Sequence, residues 1–159
     1  MKILVQEKDF DIGAEIKELR ARAQNVGAIV SFTGLVREIH QHNERVADIK
    51  ELFLEHYPGM TEKALADIAE QAGSRWALLG STIIHRVGTL HPADQIVLVL
   101  TASEHRGEAF AAAEFIMDYL KTRAPFWKRE AGNGSRHWVS YRQTDIERAE
   151  RWQEKGPTD

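Results

Sequence analysis

Ser81-Thr82-Ile83-Ile84-His85-Arg86-Val87, followed by Gln95-Ile96-Val97-Leu98-Val99-Leu100-Thr101-Ala102, reads as two strands rich in Ile, Val and Thr. They are joined through Gly88 and His91-Pro92-Ala93-Asp94, a hairpin-like connection longer than a tight turn. The pattern then turns helical. From about 106 to 123, Ala109, Ala112, Ala113, Ile116 and Leu120 fall on one stripe, widened by Phe110, Phe115, Met117 and Tyr119. Such a wide apolar face predicts a mostly buried helix. Pro125 stops it, and Ala124 before it should leave the α region. Phe126–Glu130 and Arg136–Arg142 predict a second hairpin, around Gly132-Asn133-Gly134-Ser135. Strand pair, helix, strand pair is the signature of an α+β layer fold with a largely antiparallel sheet.

The upstream half repeats the theme. Ile3–Val5 predicts a short strand, and Ile12, Ile16, Leu19 and Ala23 predict an amphipathic helix over about 11–24. Ala28–Val36 predicts a strand that passes through Thr33-Gly34 and ends at Arg37. Residues 38–47, with His40, Gln41, His42, Asn43, Glu44 and Arg45, read as a polar loop. Between 48 and 56, Leu52 and Leu54 alternate with Glu51, Phe53 and Glu55, as a strand with one apolar face would. Tyr57-Pro58-Gly59 is a turn, and Thr61 can cap a helix whose stripe is Leu65, Ile68, Ala69 and Ala72. Thr144-Asp145-Ile146-Glu147 is a capping-box pattern opening a last helix to about 153. The expected organisation is one domain over 1–153, with a frayed tail over 154–159.

Composition narrows the function. The chain has 159 residues, and 21 Lys plus Arg against 24 Asp plus Glu give a net charge of −3. That balance argues against a general nucleic-acid binder. There is no cysteine, which excludes a disulfide framework, a Cys-bearing zinc site, an iron–sulfur cluster and a thiol nucleophile. The longest apolar runs, Ile96–Leu100 and Ala109–Ala113, have five residues each, far from the roughly 20 of a membrane span. Ile3-Leu4-Val5 is too short for a signal-peptide core, so a cytoplasmic location is expected. Neither G-x-G-x-x-G nor G-x-x-x-x-G-K-[ST] occurs. His40-x-His42 lacks further metal-ligand company, and no metal site or cofactor is expected. Asn133-Gly134-Ser135 fits a glycosylation sequon, but Asn-Gly explains itself as a turn.

Lys121-Thr122-Arg123-Ala124-Pro125-Phe126-Trp127-Lys128-Arg129-Glu130 places four cations within nine residues of a slightly acidic chain. The proline changes the chain's direction between the lysines, so a helix end and a strand start can aim both into one pocket. Crowded cations lower a lysine's pKa and suit it to proton transfer. The same residues also read as a solvated charge run beside core aromatics. His105-Arg106 at a helix start suits a phosphate, or is a surface pair. Arg37 can be an ordinary surface arginine. Trp127, Trp138 and Tyr141 can stack on a flat ring or belong to the core.

The residues Phe53-Leu54-Glu55-His56-Tyr57-Pro58-Gly59-Met60-Thr61, and the long run from Phe115 through Lys121 and Pro125 to Glu130, resemble motifs of the catalytic (large) subunit of molybdopterin synthase. Val30–Gly34, Ile84–Gly88 and Ser103–Arg106 fall in the same order, and the resemblance spans about Gly27 to Trp152. It implies a two-layer α/β-hammerhead fold with an added antiparallel β subdomain. It implies an enzyme that converts cyclic pyranopterin monophosphate to molybdopterin, taking sulfur from the C-terminal thiocarboxylate of a small ubiquitin-like partner ending in Gly-Gly. A homodimer of this chain would stand at the centre of a heterotetramer. The family's two lysines fall on Lys121 and Lys128, implied to be catalytic, and Arg37, His105, Arg106, Arg129 and Glu130 fall on substrate-binding or adjoining positions. Leu35 stands where relatives often carry a polar or small residue. With no thiol on this chain, sulfur must arrive on the partner. Two alternatives are a small nucleic-acid binding module using the basic aromatic segment, and a non-catalytic scaffold.

Overall fold

A computed structural model of the protein describes residues 1–42, 45–48, 50–132, 135–139 and 142–153. In chain order the elements are β1 (Lys2–Gln6), α1 (Ile12–Arg22), β2 (Ala28–Leu35), β3 (Ile39–His42), β4 (Arg45–Asp48), β5 (Glu51–His56) and α2 (Met60–Arg75). Then follow β6 (Leu78–Arg86), β7 (Gly88–Leu90), β8 (Gln95–Ser103), α3 (Arg106–Arg123), β9 (Phe126–Gly132), β10 (Ser135–Val139) and α4 (Gln143–Glu150). The fold is α+β, and antiparallel pairing dominates both four-stranded sheets.

The first sheet has the order β1-β6-β8-β2, with β1–β6 its one parallel pair. Alternation along its strands sends side chains to opposite faces. Ile84, Leu98, Leu100 and Ala102 pack with Leu19 of α1, whereas Ile83, Val97 and Val99 pack with α2 and α3. Helices therefore cover both faces. That is why Ile96–Leu100 is an unbroken apolar run and not an alternating one. Phe115 and Tyr119 of α3, almost fully buried, meet the second face beside Leu65 and Ile68 of α2.

The second sheet has the order β10-β9-β5-β7. The chain leaves the first sheet at Gly88, whose φ of 80° suits glycine, and β7 pairs with β5 before the chain returns as β8. The expected connection between β6 and β8 thus contains a strand of the other sheet. Three residues without alternation leave too little pattern to read. A third core, with Val36, Leu52, Leu54, Val87 and Leu90, joins the two sheets.

Some local elements differ from the expectation. Residues 39–48 contain a two-stranded antiparallel ribbon, β3–β4, and not only a polar loop. Backbone pairing alone closes such a ribbon, so hydrophobicity carries no trace of it. Thr61 does not cap α2. Gly59 precedes the helix, and the Glu62 carboxylate accepts from the Gly59 N–H at 2.6 Å. Likewise α4 opens at Gln143 with Arg142 in the cap position, two residues before the expected Thr144 cap, and with no side-chain cap bond. Asn133 and Gly134, at the expected β9–β10 turn, and the tail 154–159 lie outside the described residues, as does Tyr141.

Candidate active site

The site begins at the corner between α3 and β9. Ala124 is extended (φ −81°, ψ 132°), as a residue before proline should be, and the helix ends there. Thr61, completely buried, fixes this corner. Its Oγ1 accepts from the Tyr57 N–H at 2.9 Å and donates to the Pro125 carbonyl at 3.0 Å. Lys121 sits in the last turn of α3, before the corner, and Lys128 lies on β9 after it. On β9, Lys128 pairs with Leu54 and Glu130 with Leu52. Leu52 and Leu54 face the inter-sheet core, so Lys128 and Glu130 are carried to the same inward side.

The third wall is the end of β2. A register shift at Gly34/Leu35 bends the strand against β8. Val36 then exchanges backbone hydrogen bonds with Asp94 and Ala93, at 2.9 Å each, which buries Val36 and leaves Arg37 exposed beside it. A cavity of about 550 Å³ lies between these walls. Arg37, Lys121, Lys128 and Arg142 line it, with Glu130, Asp145 and His85, against an apolar backing that includes Leu52, Leu54 and Phe126. The volume suits a small molecule.

Four cations around one cavity change its chemistry. Lys128 is pushed down to about 8, chiefly by burial, with Lys121, Arg37 and Arg142 contributing and Glu130 opposing. Crowding was the expected cause; burial is the larger one. A lysine with a pKa near 8 holds a useful neutral fraction close to neutral pH and can accept a proton.

The cavity thus brings together Arg37, Lys121, Lys128 and Glu130 of the anticipated residues. Arg129 goes elsewhere. As the odd member between Lys128 and Glu130, it turns to the other face of β9, its guanidinium 4.9 Å from the centre of the Phe53 ring. His105 and Arg106 stand exposed at the opposite end of α3. Fifteen residues of helix separate Arg106 from Lys121, about 22 Å at 1.5 Å per residue. One chain alone does not bring them to the cavity. Their own corner is tightly held: the Gly27 N–H donates to Ser103 O, and a Cβ at Gly27 would lie 2.1 Å from Glu104 O. Trp127 is half-exposed at the cavity wall and not a core residue.

Sequence reasoning missed His85, Arg142 and Asp145. His85 had a signal, a titratable ring directly after the apolar pair Ile83-Ile84 of a strand. Arg142 and Asp145 had none, because only the packing of α4 on α3 brings them near. That packing rests on Asp118. Its buried carboxylate accepts from Trp152 Nε1 at 2.7 Å and from Arg151 at 2.8 Å. Arg151 also pairs with Glu114 at 2.6 Å. Among the described residues no group of His, Asp and Glu is placed to hold a metal ion. No helix among them is long and apolar enough to cross a membrane.

Comparison with protein families gives a match over residues 5–123 to the family described as MoaE protein. The chain belongs to the MoaE family. The match takes in Arg37, His105, Arg106 and Lys121, and stops at the α3–β9 corner before Lys128. A MoaE relative named molybdopterin synthase catalytic subunit, from Ralstonia nicotianae, is 57% identical over 94% of this chain and 83% of its own. The solved molybdopterin cofactor biosynthesis protein E from Burkholderia multivorans is 50% identical. It superposes with a TM-score of 0.80 over 98% of both chains. A structure of molybdopterin synthase from Staphylococcus aureus, 28% identical, gives a TM-score of 0.75 over 87% of this chain and 96% of that one. The MoaE fold thus persists while half or more of the sequence changes.

Proposed function

We propose that this chain is the catalytic subunit of a molybdopterin synthase of the cytoplasm. It transfers sulfur from the C-terminal thiocarboxylate of a small ubiquitin-like partner to cyclic pyranopterin monophosphate, forming the dithiolene of molybdopterin. The observation that carries this reading is the cavity itself. Lys121 and Lys128 converge with Arg37 on a space of small-molecule size, in a chain 57% identical to a named catalytic subunit. An anionic phosphate and an incoming thiocarboxylate both need cationic surroundings.

The roles divide by environment. Lys128, with its pKa near 8, takes and returns the proton that moves as the cyclic phosphate opens. Lys121, at the exposed rim, holds the charge of the thiocarboxylate and of the oxyanions that form from it. Arg37 holds phosphate. His105 and Arg106 serve a cavity only if a second copy of the chain presents them, and this gives the proposed central homodimer a chemical purpose. Arg129, on the far face of β9, supports the strand and does not contact substrate. The cations converge on a concavity and form no open track for a strand, which disfavours the nucleic-acid reading.

Reconstitution tests the proposal. The purified chain, a thiocarboxylated partner and cyclic pyranopterin monophosphate should yield molybdopterin, read as its fluorescent oxidation product. Lys121→Ala and Lys128→Ala should each lose at least about 100-fold in rate while remaining folded. No product from the wild-type mixture, or full turnover by either variant, would overturn it.

A further inference from the structure

His85 is a polar group of the cavity to which the mechanism above gives no role. Its Nδ1 lies 2.8 Å from the Arg86 carbonyl oxygen. A carbonyl only accepts, so Nδ1 carries the hydrogen. The ring also lies flat on Phe126, with centroids 3.8 Å apart and planes 21° apart. Tautomer and orientation are both fixed, and Nε2 is left with a bare lone pair. No buried side-chain nitrogen or oxygen among the described residues lacks a partner, and Nδ1 makes the ring's hydrogen bond. Nε2 therefore opens onto the cavity that His85 lines.

Its surroundings keep it neutral. Burial above all holds the imidazole down at about 4, the Arg86 carbonyl opposes the fall, and Lys121 from α3, His56 from β5 and Lys128 from β9 add to it. Arg37, Arg142, Glu130 and Asp145 complete the ionisable lining of the same cavity. A base this weak is a poor proton acceptor near neutral pH, so His85 is unsuited to acid–base work. It is well suited to accepting a hydrogen bond. Among the charged side chains of this cavity, it supplies an uncharged acceptor deep in the wall, against the apolar backing.

We propose that His85 is a specificity residue whose Nε2 accepts a hydrogen bond from a ring N–H or hydroxyl of the small-molecule substrate, while the cations hold its phosphate. This rests on the function proposed above and adds how the uncharged end of the substrate is read. An analogue that lacks such a donor would leave Nε2 desolvated and unpaired.

The test is calorimetric titration of cyclic pyranopterin monophosphate into the chain without its partner, so that binding is read without turnover. His85→Phe keeps the stack on Phe126 but removes the acceptor, and should weaken binding about fivefold, the value of one neutral hydrogen bond. His85→Gln restores an acceptor oxygen and should recover most of that loss. Affinity for the partner should stay unchanged in both. Wild-type affinity in His85→Phe, no recovery in His85→Gln, or a loss confined to partner binding would each overturn the inference. The wild type supplies a second readout that needs no variant. In a 15N spectrum of the histidine rings, the bare Nε2 resonance should shift on adding substrate, and an unmoved resonance would refute the contact. Failure of the wild type to bind the pterin at all would instead strike the proposed function.

Discussion

Replacing Lys128 by Met should make the protein more stable and the enzyme inactive. The usual lysine value of 10.5 falls to about 8 in this cavity, chiefly through burial. At about 1.36 kcal/mol for each pH decade, holding the charge in the fold costs roughly 3 kcal/mol. Solvent at the cavity mouth screens part of this, and Glu130 loses a favourable neighbour on substitution. A gain of about 1–2 kcal/mol is therefore expected near neutral pH. Methionine keeps the unbranched stem, so little packing is lost. For a chain of this length that gain is about 2–8 °C in Tm. The sign has a pH signature. Between about 8 and 10.5 the unfolded wild type binds more protons than the folded one, so its stability rises with pH there. The advantage of Lys128→Met is complete below pH 8 and vanishes towards pH 10.5. Urea denaturation at pH 7 and pH 10, followed by circular dichroism, measures both values. A variant less stable than wild type at pH 7, or an advantage equal at the two pH values, would refute the reasoning.

The remaining expectations concern the frame around the cavity. Asp118→Ala strips Trp152 Nε1 and Arg151 of their shared acceptor. It should cost about 2–3 kcal/mol in a urea melt and raise the substrate KM as α4 loosens its hold on Arg142. Thr61→Val leaves the Tyr57 N–H and the Pro125 carbonyl unpaired. A loss of about 1–3 kcal/mol is expected, with Thr61→Ser recovering most of it and the turnover with it. Ala93 holds a left-handed backbone, with φ at 71°. Ala93→Gly should therefore raise stability by about 0.5–1 kcal/mol, visible as a higher Tm. Arg106→Ala should weaken pterin binding more than partner binding in parallel titrations, since the lost group is assigned to phosphate.

How far the chain could be read depended on whether the information was local. The stripe of α3, the Pro125 corner and the alternation of Leu52 and Leu54 are all written within a few residues. They were sufficient to aim Lys121 and Lys128 at one pocket. Residues gathered by tertiary packing left no such trace. Arg142 and Asp145 reach the cavity because Asp118, more than twenty positions earlier, holds the far end of α4. The β3–β4 ribbon and the three-residue β7 depend on backbone pairing, which hydrophobicity does not record. Arg129 belongs to the same basic run in the sequence, yet alternation along β9 turns it to the face opposite Lys128 and Glu130. His85 could have been found by asking why a titratable ring follows the apolar pair Ile83-Ile84 within a strand.

The length of α3 has a consequence for genetics. Each copy of this helix carries Arg106 at one end and Lys121 at the other, and in the proposed homodimer the two ends serve different cavities. Two impaired alleles, one altered at each end, should then rescue each other. When Lys121→Ala and Arg106→Ala chains are mixed in equal amounts and allowed to exchange, half of the dimers are hybrids. Each hybrid holds one cavity with both defects and one with none, so about a quarter of wild-type activity returns. If each cavity drew only on its own chain, mixing would restore nothing.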